Sequence, residues 1–138
     1  MSKRNIKTPP LDTTRKIVTE GGSVSGTDND HPVFSFAHLV KGYTIKDCEL
    51  RQKAAIAEKI ETLSSLTWRQ IMQSGRHELG CEKISRKAIR AGMPSIVTPD
   101  VDTFLAFRCS GKAPMVGLRQ GATFFVFWID HDFTLYKH

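Results

Sequence analysis

From residue 103 onward, apolar and polar positions alternate with a period of two, and turn residues interrupt the alternation at regular intervals. TFLAFRC, a turn at SGK, APMVGLR, a turn at QG, TFFVFWID, a turn at HD and then FTLYK predict an antiparallel meander. In the third of these strands Phe124, Val126 and Trp128 would point one way and Phe125, Phe127 and Ile129 the other. Both faces are then apolar, as expected of a central strand covered on both sides.

Upstream the period lengthens to that of a helix. In DCELRQKAAIAEKIETLSS, Leu50, Ala54, Ala57 and Ile60 recur at spacings of three and four, and Ile56, Ile60 and Leu63 widen the stripe. TIKD before it is a weak capping-box variant, and TWRQ at 67–70 matches the box of a fresh helix start after a Ser-Ser break. Two helices are therefore expected, at 46–63 and 68–74. Before them, HPVFSFAHLV alternates as a short strand with its phenylalanines inward. Between helices and meander, residues 75–100 are basic and broken by glycine and proline, with a short strand or turn near Glu82 to Ser85.

These elements give an α+β class: an N-terminal strand, a helical hairpin, then a curled antiparallel sheet packed on the helices. Residues 1–30 carry two adjacent prolines, a Gly-Gly pair and few large apolar side chains. They read as a flexible leader, with a helical turn around Thr14 to Val18 at most. Residues 31–138 form one domain, a length and a 40% hydrophobic content sufficient for a core.

Composition narrows the partners. The net charge is +6, and residues 76–119 hold eight basic and four acidic side chains, the densest excess in the chain. A polyanion, RNA above all, is the favoured partner class. No apolar run is long enough to span a membrane and no secretory signal is evident, so a cytoplasmic protein with no membrane partner is expected. Cys48, Cys81 and Cys109 are odd in number, widely spaced and read as reduced thiols. His77-x3-Cys81 has the spacing of a ligand pair without a second pair to complete it, so no metal and no cofactor is expected.

Three groups could carry chemistry. Arg76, His77, Lys83, Arg86 and Lys87 would hold an RNA backbone, since guanidinium forks bind phosphate and imidazole exchanges a proton near neutral pH. Alternatively they line a solvated basic loop. Arg108 and Arg119 sit inside predicted strands; on neighbouring strands of one hairpin they could share a face and form a preorganised anion site, or instead pair with Asp102 or Asp130. His131, Tyr136 and His138 lie in the closing hairpin and tail, where a tyrosine stacks on a base and a histidine acts as acid or base.

MVGLRQGATFFVFWID followed by FTLYKH resembles the arginine, turn, hydrophobic strand and terminal His/Tyr strand of the RelE/YoeB branch of the RelE/ParE toxin superfamily. Arg119 matches the arginine before the central strand, Tyr136 and His138 the terminal aromatic/imidazole pair, and Lys83 and Arg86 loosely the basic residues of the middle strand. The end runs Tyr-Lys-His rather than His-Tyr, and the 75–102 connection is longer than the family's. The resemblance implies a RelE-like fold and a ribosome-dependent endoribonuclease that cuts messenger RNA without a metal, held inactive by an antitoxin. Arg108 and Arg119 would then stabilise the developing charge, while His77, His131 or His138 would transfer protons. The competing reading is a non-enzymatic phage or mobile-element protein that binds nucleic acid or another protein.

Overall fold

The computed structural model describes residues 25–109 and 112–137, with the side chains of Ser25, 75–78 and Lys112 outside the description. Residues 1–24, which hold most of the expected leader and its helical turn, lie outside the described residues, as do Ser110 and Gly111 of the expected SGK turn. The fold is α+β. Strand β1 (Val33–Ser35) is followed by helices α1 (Leu50–Ser64) and α2 (Trp68–Leu79). Strands β2 (Cys81–Ser85), β3 (Thr103–Cys109), β4 (Lys112–Gln120) and β5 (Thr123–Ile129) complete it. The sheet is open and mixed, in the order β1-β5-β4-β3-β2. β2 to β5 are antiparallel neighbours, whereas β1 runs parallel to β5, so the sheet is not antiparallel throughout.

The helix break falls where its capping chemistry predicts. Thr67 N–H donates to Gln70 Oε1 at 2.9 Å and Gln70 N–H donates to Thr67 Oγ1 at 3.2 Å, a reciprocal box at the start of α2. The TIKD box also forms, with Thr44 N–H donating to Asp47 Oδ2 at 3.0 Å, but it closes only a 3-10 turn over Ile45–Asp47. That bond, together with one from the Thr44 hydroxyl, holds the Asp47 carboxyl below its usual range. α1 then starts at Leu50, with Glu49 N–H donating to Gln52 Oε1 at 2.8 Å. Its buried stripe is Gln52, Ala55, Ile56 and Leu63, so Ile56 and Leu63 face inward as expected while Leu50, Ala54 and Ala57 face solvent. Gln52 is tolerated inside because its amide donates to the His131 carbonyl at 2.7 Å.

Both sheet faces are covered. The helices bury Trp68, Phe107, Met115, Phe124, Val126 and Ile129 on one side. On the other side Phe104, Val116, Phe127 and Trp128 are buried against Val97, Val101, Leu135 and Tyr136, which belong to irregular segments. The strict alternation expected in β5 fails at one point. Val116 pairs with Trp128 but Gly117 pairs with Val126, so Phe127 is an extra residue, a β-bulge. Past it the phase inverts: Trp128 joins Phe127 on the second face and Ile129 returns to the helix face. Gly117 permits this close approach, since a Cβ there would overlap the Phe125 carbonyl oxygen.

The tail is not the fourth strand of the expected meander. Asp130, fully buried, accepts from Thr134 N–H at 2.9 Å and Leu135 N–H at 3.0 Å, and so folds residues 130–135 into a capped turn. The turn carries Leu135 and Tyr136 onto the second face. At the other end the domain reaches further back than His31. Arg69 N–H donates to Asp28 O at 2.8 Å and Trp68 N–H to Asp30 O at 3.0 Å, so residues 28–30 are bolted to the start of α2.

Candidate nucleic-acid interface

The two strand arginines lie on opposite faces of the sheet. In the β3–β4 register Leu105 pairs with Gly117 and Phe107 with Met115, which places Arg119 level with Thr103 and far along the strand from Arg108. Arg108 follows Phe104 and Ala106 in parity, both on the second face, while Arg119 lies over Trp68 on the helix face. The shared arginine face expected from the hairpin does not form, because side-chain direction reverses at every residue of a strand.

Arg119 is engaged in the fold. Its Nε donates to Gly121 O at 2.8 Å, and its Nη2 donates to Thr27 Oγ1 at 3.0 Å and Asp28 Oδ1 at 2.9 Å. Its guanidinium carbon lies 4.5 Å from the centroid of the Trp68 ring. The counter-ion is therefore Asp28 rather than Asp102 or Asp130. A planar fork with several donors can tie a strand end, a turn and a helix start together in a way an ammonium cannot.

Arg108 has a different setting. β2 forms one edge of the sheet. Along it runs a shallow groove of about 410 Å³, bordered by Glu82, Lys83, Ser85, Arg108, Tyr136 and Lys137. Arg108, Lys83 and Lys137 are exposed, and Tyr136 is buried. Burial pushes the Tyr136 hydroxyl well above the ordinary phenol range, with the Glu82 and Asp130 carboxylates adding to the rise and Arg108 opposing it. At neutral pH it is a phenol, able to donate a hydrogen bond and unable to act as a base. A second cavity of about 130 Å³ lies where β3 begins and β4 ends, bordered by Met72, Lys83, Asp102, Thr103, Leu105 and Arg119 among others. Lys83 borders both.

The remaining candidates are dispersed. His131 directs Nε2 to the Gly42 carbonyl at 3.0 Å, and its own carbonyl accepts from Gln52. Arg86 donates from Nη1 to the carbonyls of Thr98 and Val101, both at 2.9 Å, and so holds the long connection closed. Lys87 is exposed in the turn after β2. Arg76 and His77 lie within α2, which runs to Leu79 and stops at Gly80 with φ 70°, rather than in a loop after a helix ending at 74. Their side chains, and all of His138, lie outside the described residues. Among the described residues no histidine borders either cavity, and no three His, Cys, Asp or Glu cluster to hold a metal ion. All three cysteines are free. Burial raises the thiol of Cys81 to about 11 and that of Cys109 to about 12, so neither is a thiolate nucleophile at neutral pH.

Sequence reasoning missed Lys137 and the Arg119–Asp28 clasp. Lys137 could have been found from its place beside Tyr136, but the clasp joins residues 91 apart and has no local signal. No protein-family model, no curated protein and no solved structure matches this chain. No described helix is long and apolar enough to cross a membrane.

Proposed function

We propose that the chain binds the sugar–phosphate backbone of a nucleic acid, RNA in the first instance, along the open β2 edge. One observation carries the reading. Arg108 and Lys137 are exposed cations bordering a groove whose lining holds a single carboxylate, Glu82. Lys83, exposed on the edge strand β2 with its side chain on the Leu105 side, adds a third cation along that edge. Such a strip on a rigid sheet edge attracts a polyanion by counter-ion release, which needs no sequence-specific contact. Titration of labelled single-stranded RNA at low salt tests it. Arg108→Glu should weaken binding about tenfold, while Arg51→Glu, the same charge change at the exposed start of α1 and outside the lining of both cavities, should have little effect. Equal losses from the two variants would mean that only net charge matters.

A second reading is the mRNA-cleaving toxin restrained by an antitoxin. It draws support from Arg108 and Tyr136 sharing the groove, two residues before His138 in the chain. On that reading Arg108 stabilises the phosphorane charge and Tyr136 donates to a substrate oxygen. Expression should then arrest growth and cleave ribosome-bound message, and Arg108→Ala should relieve both. Growth without arrest and intact message would leave the binding reading alone.

A further inference from the structure

We propose that the smaller cavity takes one unstacked nucleobase, and that guanine is the base its polar edge fits. This rests on the nucleic-acid reading above and names what the same strip would recognise. A cavity of about 130 Å³ is comparable to the roughly 150 Å³ space that accommodates benzene. It has room for one ring, with the rest of a base and its sugar at the open mouth. Met72 and Leu105 supply apolar wall for the ring faces, and Asp102, Thr103 and Lys83 supply the polar edge. Asp102 and Lys83 are exposed, and the Asp102 backbone carbonyl is already used by Arg86 N–H at 2.7 Å, so its carboxylate is not what anchors the chain. Arg119 borders the cavity with its guanidinium held by Asp28, and serves as a fixed wall.

The edge chemistry selects among the bases. A carboxylate only accepts hydrogen bonds and an ammonium only donates them. Guanine offers two adjacent donors, N1–H and N2–H₂, to a carboxylate, and on the neighbouring edge the O6 and N7 acceptors to a lysine. Adenine and cytosine each place a ring acceptor beside the amino group, where it meets the carboxylate lone pairs. Uracil has one donor flanked by two carbonyls. Only guanine gives the Asp102 carboxylate two adjacent donors while also presenting acceptors to Lys83. Lys83 also borders the backbone groove, so groove and cavity adjoin the same β2 edge, across which a bound strand would pass.

The test uses the four nucleoside 5′-monophosphates and inorganic phosphate, each titrated into the full chain while the backbone amides of Lys83 and Thr103 are followed by NMR. GMP should bind about tenfold more tightly than AMP, CMP or UMP. Phosphate alone should leave Thr103 unmoved, and Asp102→Asn should remove the preference without lowering the melting temperature. Equal affinities, preference for another base, or a preference that survives Asp102→Asn would each overturn the proposal. The two readings fail separately. RNA binding that responds to Arg108→Glu with no base preference rejects the guanine pocket alone. GMP-selective shifts at Thr103 without any RNA affinity reject the backbone strip alone.

Discussion

The corner around Arg119 and the groove around Arg108 hold the same functional group on neighbouring strands, and put it to opposite uses. Arg119 spends its donors on Gly121, Thr27 and Asp28 and lies over Trp68, so its charge is neutralised inside the fold. Arg108 projects from the other face, bordering the groove with Tyr136 and Lys137, with its charge open to solvent and to any anion that enters the groove. An arginine within a strand is therefore not by itself an anion site. What decides is whether the surrounding chain has already supplied the anion.

Substitutions at the two positions should therefore separate stability from binding. The largest effect is expected at Arg119. Arg119→Ala leaves Asp28 without its cation and frees the 25–30 segment from the strand end, so unfolding by denaturant should show a loss of about 2–3 kcal/mol. Arg119→Lys should restore only part of this, because an ammonium cannot reproduce the fork. Full stability in Arg119→Ala would show that the clasp is incidental. At Arg108 the order reverses: Arg108→Ala should change stability by less than about 0.5 kcal/mol, as for other exposed positions, while weakening single-stranded RNA binding several-fold. A substantial loss of stability there would erase the contrast.

The smallest effect concerns Tyr136, which closes the groove from beneath. Its folded pKa is raised, so its contribution to stability is complete below the unfolded value of about 10 and is lost as pH rises toward the folded one. Stability measured between neutral pH and strongly alkaline pH should therefore fall less steeply in Tyr136→Phe than in the parent. Parallel curves would mean that the hydroxyl is solvated in the fold.

Much of this architecture is legible in the chain. The Thr67–Gln70 box marks the helix break, and the period-two stretches of β3, β4 and β5 appear where the alternation places them. The strand near Glu82 to Ser85 is also there, as β2. What is not legible depends on register. Whether residues on two neighbouring strands share a face turns on which residues pair, and a shift of one inverts the answer. Leu105 opposite Gly117 is the pairing that sends Arg108 and Arg119 apart, and no feature of FRCSGKAPM announces it. The same holds for the bulge at Phe127, which reverses Trp128 and Ile129 against their alternation. In the tail, Asp130 overrides the strand pattern of FTLYK by capturing two backbone amides. That capture is local in sequence, yet it competes with a hairpin that looks equally good on paper. The candidate site was legible only in part: Arg108 and Tyr136 share one groove with Lys83 on its edge strand, whereas Arg86, Arg119 and His131 are spent on the fold.

The salt dependence of RNA binding reads out directly how many of these cations contact phosphate. Each phosphate contact with a single strand contributes about 0.7 to the slope of log affinity against log salt concentration. Replacing Lys83, Arg108 and Lys137 together by alanine should lower that slope by about 2, with the fold retained. A slope unchanged from the parent, with binding intact, would contradict the assignment of the β2 edge as the polyanion site.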